Sequence, residues 1–466
     1  MTEQFDAILI GSGQANDTLA GAIAKTGKKV VTIESKHAGG TCINEGCTPT
    51  KTMVASGRVA HLARRGADYG VQTGPIAIDL VKIRQRKRDI VDNGRTRNET
   101  RLNGENLELI YGLAEFTGPK TLHIALRDGG SRTLQADWIF LNTGLRAAMP
   151  SIPGLHDIPF LTNESIMELD AVPDHLLIIG GGYIGLEFAQ MFRRFGSRVT
   201  IIHHGRQLLD QEDPDVASEI RKILTEDGIE VLLEADTVAA GAAQNGSDNS
   251  VKLTVRLGSE TRALTGSHIL VATGRTPNTE ALNLPATGVE VNERGYIKVN
   301  EYLETSVSGI YALGDVKGGP AFTHISYDDY RIVQANLLHG ERRSIKNRIL
   351  PYTVFIDPQL GRIGLTETEA RKQNPKIRVA KMPMTSVARA LETDETRGFM
   401  KIIVDPDSEL ILGAAVLGIE GGEIATIVQI AMEGKLKYTA LRDGIFSHPT
   451  LAESLNNVFF SWTDES

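Results

Sequence analysis

One local pattern occurs twice in this chain, and two copies of it leave few folds open. Residues 7–10 are apolar, Gly11 and Gly13 follow in GSGQAN, a helical stretch runs on through 19–24, and the β-branched segment 29–33 ends in Glu34. Residues 176–179 are again apolar; GGGYIG then brings Gly180, Gly182 and Gly185, a helical stretch reaches Phe195, and a strand over 198–202 leads to His203. In a strand, glycine turn, helix and strand unit, the first glycine allows the tight turn and the second lets a pyrophosphate approach the backbone. The helix N-terminus favours the anion. One glycine turn alone is weak, because many such turns hold nothing; two in the same context predict two dinucleotide-binding halves. A second signal is duplicated as well: FLNTG, ending at Gly144, and LVATG, ending at Gly274, close each half with a strand and a glycine turn. The expected fold is α/β, with two Rossmann-like domains.

The two copies differ in detail. The third glycine of the first motif is replaced by Asn16, which should keep helix and strand slightly further apart. Glu34 lies 21 residues beyond Gly13 and suits a ribose diol, whereas the residue 21 beyond Gly182 is His203. With His204 and Arg206 beside it, this second tip suits a 2′-phosphate better than a bare diol, so NADPH is expected in preference to NADH.

Only two cysteines are present, Cys42 and Cys47, five apart in GGTCINEGCTPTK over residues 39–51. In a regular helix, side chains five apart point about 140° away from each other, so the two sulfurs could meet only where the backbone leaves the helix. Gly46 and Pro49 make that departure reasonable. A zinc site needs three or four ligands, and His37 and His61 are the only local candidates, so no structural metal is expected. A stapling disulfide would serve little purpose in a large chain kept in a reducing compartment, which favours a catalytic role.

Other function classes fit poorly. A formal net charge of −8 argues against a nucleic-acid surface. The basic run Arg84, Arg86, Lys87 and Arg88 reads as a solvated helix face. The N-terminal segment lacks the basic region and cleavage site of a secretory signal, and no apolar stretch reaches the roughly 18 residues of a membrane span, so a cytoplasmic protein is expected. A length of 466 residues leaves room for about three domains.

GGTCINEGCTPTK resembles the active-site segment of the pyridine nucleotide-disulfide oxidoreductases, and further motifs in the same order extend the resemblance over nearly the whole chain: GGGYIGLEFA at 180–189, ATGRTPN at 272–278, IYALGD at 310–315 and FSHPTLAE at 446–453. The resemblance implies an FAD domain in two parts, 1–148 and 276–345, an NAD(P)H domain at 149–275 and a C-terminal α+β interface domain at 346–466, with strands near 352–356, 399–404 and 410–416 and a helix over 422–432. It implies FAD contacts at Gly11, Gly13, Glu34, Gly40, Thr41, Lys51, Gly144 and Asp315, with Gly180, Gly182, Tyr183, Gly185, His203, His204, Arg206 and Gly274 on the nicotinamide dinucleotide. Lys51 and Glu187 match an ion pair beside the flavin, and Tyr183 matches a lid over the nicotinamide pocket. His448 and Glu453 match a pair that, in these homodimers, reaches the partner's cysteines. Cys47 would face the flavin and Cys42 would be the interchange thiol, the two forming a redox-active disulfide.

The same resemblance leaves the electron acceptor open between a small disulfide and a thiophilic metal ion held transiently by Cys42 and Cys47. Usual mercuric reductases carry a further cysteine pair and a tyrosine in place of His448; this chain ends TDES without a third cysteine. HISYDDYRIV at 324–333 and Phe446 resemble the reactive-chlorine-resistance branch, associated with reduction of metals such as copper. Dihydrolipoamide dehydrogenase, or a flavin redox sensor without turnover, are the alternatives, and His203 in place of an acid speaks against the first.

Overall fold

The computed structural model describes residues 1–243 and 250–463, so the last three residues of the TDES ending lie outside the described residues. The first segment runs β1 (Thr2–Ile10), α1 (Gln14–Ala24), β2 (Val30–Glu34), α2 (Gly40–Asn44), α3 (Cys47–Arg64), α4 (Leu80–Arg101), β3 (Leu107–Gly118), β4 (Thr121–Leu126), β5 (Ser131–Leu141) and β6 (Leu145–Ala147). The second runs β7 (His175–Ile179), α5 (Tyr183–Phe195), β8 (Arg198–Ile202), α6 (Pro214–Glu226), β9 (Glu230–Leu232), β10 (Ala235–Ala242), β11 (Val251–Leu257), β12 (Glu260–Gly266), β13 (His268–Val271) and β14 (Arg275–Pro277). Then come β15 (Ile310–Ala312) and α7 (Thr323–His339), followed by β16 (Pro351–Val354), β17 (Gln359–Gly364), α8 (Glu367–Gln373), β18 (Arg378–Pro383), α9 (Ala388–Glu392), β19 (Phe399–Val404), β20 (Ile411–Gly418) and α10 (Gly421–Glu433).

Among the described residues these elements make five sheets, two of them wholly or mainly parallel. In the first, β3, β2, β1, β5 and β15 lie parallel in that order, and β4 pairs antiparallel with both β3 and β5. In the second, β13, β7, β8 and β9 are parallel, with β10, β11 and β12 forming a separate antiparallel sheet. Parallel strands buried on both faces read as continuous apolar runs, and β7, fully buried along its length, is one. Chain passage between the two sheets occurs at an antiparallel ribbon of β6 and β14, where Leu145 faces Pro277. The C-terminal sheet is β16-β17-β20-β19-β18, with α10 packed over β17 and β20. This is the α/β architecture with a C-terminal α+β unit expected from the sequence.

The cores are not independent. Met53 of α3, Phe188 and Phe192 of α5, and Val354, Phe399 and Leu417 of the C-terminal sheet belong to one buried apolar cluster. Each fully buried Leu or Phe contributes about 1.5 to 3 kcal/mol, so this shared core fixes the three units around the place where α3 and α5 meet. The basic run on α4 departs from the expected solvated face. Lys87 is only 3% exposed, and it pairs with Glu168 together with Arg88, while Arg84 pairs with Asp170. Charge composition alone does not show that two acids on a distant segment match this face.

Candidate active site

The expected departure from the helix lies between the cysteines. α2 ends at Asn44, Glu45 caps it at φ −143°, and Gly46 takes φ −129°, ψ −112° before α3 opens with Cys47. A side chain at Gly46 would meet the Thr41 carbonyl oxygen at 2.9 Å, so glycine is what lets the chain fold back there. The loop is pinned on both sides. Asn44 donates to the carbonyls of Ala38 and Gly40, each at 2.9 Å, and Asn163 donates to the Glu45 carbonyl at 3.1 Å.

Cys42 and Cys47 are free, and each shifts the titration of the other. Contact with Cys42 draws Cys47 down to about 6 against the opposing effect of burial, with Thr323 and the Lys51 charge adding to it. Cys42 is pushed up, first by that same contact and then by burial. The opposite directions favour the proton on Cys42 and the thiolate on Cys47. Its place at the first position of an 18-residue helix favours the anion further. Thr323, the first residue of α7, brings its hydroxyl within 3.3 Å of the Cys47 sulfur.

One turn further along α3, Lys51 Nζ lies 2.6 Å from Glu187 on α5. The other Glu187 oxygen accepts from the Phe355 N–H at 2.9 Å, and the Lys51 ammonium stands 4.7 Å from the centre of the Phe355 ring. Tyr183, at the head of α5, packs its ring 5.9 Å from Phe322, and burial pushes its hydroxyl up.

These groups line a cavity of about 1330 Å³ that also takes in Gly11, Gly13, Glu34, Gly40, Thr41, Gly144 and Asp315. A Cβ on Gly13 would lie 2.4 Å from Asn142 Oδ1, and one on Gly40 would lie 2.7 Å from Gly13 Cα. Glu34 accepts from the Ser12 amide at 3.0 Å, the Ser12 hydroxyl at 2.7 Å and the Lys36 amide at 2.8 Å. A carboxylate offers about four lone-pair positions, so the orientation is fixed with capacity left for a diol. Burial pushes the Asp315 carboxyl up, with Arg275 opposing it. Asn16 is fully buried and its amide reaches the carbonyls of Ile10, Gly11 and Phe140 at 3.3, 2.9 and 3.1 Å. The residue that breaks the glycine motif thus ties the ends of β1 and β5 together.

The repeat of FLNTG and LVATG has a geometric basis. Gly11, at φ +86°, would place a Cβ 2.5 Å from the Asn142 carbonyl, and Gly180, at φ +119°, one 2.2 Å from that of Ala272. In each half the strand end presses on the first glycine. At the second turn Gly185 packs on the Gly180 carbonyl, Gly182 faces open space, and Gly274 takes φ +143°. His203 departs from the outward placement expected at the tip: it is 5% exposed, its Nδ1 accepts from the Gly181 amide at 3.2 Å, and its Nε2 lies 3.2 Å from Asp210. His204 and Arg206 remain at the surface, with Arg206 at 3.6 Å from Glu234.

His448 Nδ1 sits 3.0 Å from both oxygens of Glu453, so the pair is formed. The ring is 73% exposed and is not among the cavity-lining residues of its own chain. Thr323, Phe322, Asn142 and Asn163 carry no motif that would have singled them out; only the N in FLNTG and the turn before HISYDDY hinted at two of them. Among the described residues no three His, Cys, Asp or Glu side chains group to hold a metal ion.

The sequence matches the family described as Pyridine nucleotide-disulphide oxidoreductase over residues 5–329, and the dimerisation domain of that family over residues 350–459. It is 39% identical over 461 residues to the probable pyridine nucleotide-disulfide oxidoreductase RclA of Escherichia coli (strain K12), covering 98% of this chain and 99% of that one. Identity to a mercuric reductase of Staphylococcus aureus is 33% over 452 residues, 97% of this chain and 81% of the relative. Among solved structures, the Cu(II) complex of the HOCl-induced flavoprotein disulfide reductase RclA from Escherichia coli matches with a TM-score of 0.89 at 38% identity, covering 99% of both chains.

Proposed function

The chain belongs to the pyridine nucleotide-disulphide oxidoreductase family, flavoenzymes that use NAD(P)H, and from that premise we propose that it passes electrons through Cys42 and Cys47 to a thiophilic metal ion or a small disulfide. The observation that carries this reading is geometric: both sulfurs line one cavity with Lys51 and Glu187, and Cys47 heads α3 with the Thr323 hydroxyl 3.3 Å from its sulfur.

The residues present fit FAD. Gly11, Gly13 and Gly40 leave bare backbone at the N-terminus of α1, the buried Asn142 Oδ1 has no hydrogen-bond partner beside Gly13, and Glu34 is held facing the cavity. Gly144, Thr41, Lys51 and Asp315 complete the set. Bound there, FAD supplies the acceptor for a nicotinamide hydride and the two-electron donor to the sulfurs. Residues 1–148 and 276–345 form the domain that holds it, and residues 149–275 take the nicotinamide dinucleotide through Gly180, Gly182, Gly185 and Gly274. Tyr183 covers the nicotinamide pocket and Lys51 with Glu187 fixes a positive charge beside the sulfurs. Arg206 offers a cationic contact and His204 a hydrogen bond for a 2′-phosphate, which favours NADPH, with NADH the weaker donor.

In one cycle the two electrons and one proton carried by NAD(P)H open the Cys42–Cys47 disulfide to the Cys42 thiol and the Cys47 thiolate. With a disulfide acceptor, Cys42 as thiolate attacks one sulfur, the other leaves and takes the Cys42 proton, and Cys47 then attacks Cys42 to release the second thiolate, which takes a proton from solvent. With cupric ion, two ions each take one electron, the disulfide reforms and the Cys42 proton leaves. His448 of a second copy, held by Glu453, takes the Cys42 proton and returns it to the leaving thiol. Its exposure, and the match of residues 350–459 to a dimerisation domain, support a homodimer with shared sites. Cytoplasmic residence suits a thiol pair that must stay reducible.

Steady-state turnover with cupric and mercuric ions, oxidised glutathione, lipoamide, quinones and oxygen, using NADPH and NADH, tests this reading. Metal ion or disulfide turnover that vanishes in Cys42→Ser and Cys47→Ser is the expected result. Undiminished rates in both variants would refute it.

A further inference from the structure

Glu45 lies between the two cysteines, and the mechanism above gives it no part. Its carboxylate pairs with Lys36 Nζ, which also lies 2.7 Å from Glu164, so one ammonium bridges two acids from different parts of the chain. The Glu45 side chain is 20% exposed and both Glu45 and Lys36 line the cavity that holds the sulfurs. The same loop is tied by its backbone, because Asn163 donates to the Glu45 carbonyl. Asn44 pins it from the other side through the carbonyls of Ala38 and Gly40. The carboxylate therefore adds something the backbone tie does not: a fixed negative charge two residues from Cys47, partly balanced by a lysine that is itself half exposed.

We propose that Glu45 and Lys36 are positioning residues that set the redox potential of the Cys42–Cys47 couple electrostatically. Opening the disulfide takes two electrons and leaves an anion on Cys47. A negative charge close by disfavours that reduced state and a positive one favours it, and at partly buried sites such interactions keep useful strength over several ångströms. Lys36 also donates its amide to Glu34, so the countercharge is anchored to the strand end that faces the dinucleotide. This inference rests on Cys42 and Cys47 being the working couple.

The test is a redox titration of the full chain with bound FAD in dithiothreitol buffers, the fraction of dithiol being read by thiol alkylation and mass. Glu45→Gln should shift the dithiol/disulfide equilibrium toward dithiol by about three- to tenfold, which is about 15 to 30 mV for a two-electron couple. Lys36→Met should shift it by a similar factor toward disulfide, and the double variant should return to within about twofold of the parent. Because the single variants keep the Asn163 tie, a purely structural role would not move them in opposite directions. Shifts of the same sign, or none, in a parent that titrates normally would overturn the inference and leave the proposed function standing. A parent that shows no reversible couple would overturn both.

Discussion

Lys51 and Glu187 meet at 2.6 Å across two helices that begin at different functional turns, α3 at Cys47 and α5 at Tyr183. The pair is asymmetric: Glu187 is 4% exposed and Lys51 31%. Removing the buried member leaves both the ammonium and the Phe355 amide without their acceptor, so Glu187→Ala should lower stability by about 2 to 3 kcal/mol, read by chemical denaturation. Removing Lys51 leaves the buried Glu187 carboxylate without its cation, so Lys51→Met should cost a comparable amount and also slow flavin reduction by about tenfold. The double variant Lys51→Met with Glu187→Gln, which buries no lone charge, should recover part of the stability lost in Lys51→Met, and no recovery would contradict the buried charge as the cause.

The depressed Cys47 value makes reactivity depend on pH in a defined direction. A free thiol titrates near about 8.5, whereas Cys47 is drawn down to about 6. The thiolate is thus present above pH 6 and is lost as pH falls through that value. Alkylation of the reduced protein by iodoacetamide should show a midpoint near 6. Thr323→Val, which removes the hydroxyl 3.3 Å from the sulfur, should move that midpoint upward. A midpoint at the free-thiol value in the parent would show that the pair does not share its proton as described.

Asn16 offers a test in which motif and structure disagree. By the motif alone, Asn16→Gly restores a tighter turn and should help. In the structure the Asn16 amide serves three buried carbonyls, so its loss should destabilise the first sheet by about 1 to 3 kcal/mol. Thermal unfolding of the variant decides between them.

At the second turn, His203→Ala should lower stability and change the Michaelis constants for NADPH and NADH alike, because the ring is enclosed between Gly181 and Asp210. Arg206→Ala should raise the constant for NADPH several-fold, by about 1 kcal/mol of lost phosphate contact, and leave that for NADH unchanged. Parallel changes in Arg206→Ala would contradict a 2′-phosphate role.

Features encoded within a short window were readable from the sequence. The two glycine turns, the strands beside them and the break between Cys42 and Cys47 all depend on residues within a few positions of one another, and φ/ψ preferences decide them locally. The direction of the His203 ring was not readable from its spacing, although GGGYIG carried a clue. A Cβ at Gly181 would meet the His203 ring at 2.8 Å, so the extra glycine makes room for the imidazole to turn inward. The basic run on α4 misled because its partners, Glu168 and Asp170, lie about 80 residues away and only the packing of the two parallel-sheet units brings them together. Thr323 and Asn163 belong to the same class: each reaches the cysteine loop from a distant segment, and neither has a residue type that marks it out.

The proposed cycle requires electrons to move between flavin and the Cys42–Cys47 pair. Anaerobic stopped-flow reduction of the holoprotein with one equivalent of NADPH measures this directly. The expected result is a long-wavelength band from the Cys47 thiolate to oxidised flavin in the parent, its disappearance in Cys47→Ser, and its decay when cupric ion or a disulfide is mixed in. Flavin bleaching without that band, reoxidised at the same rate in parent and Cys47→Ser, would contradict it.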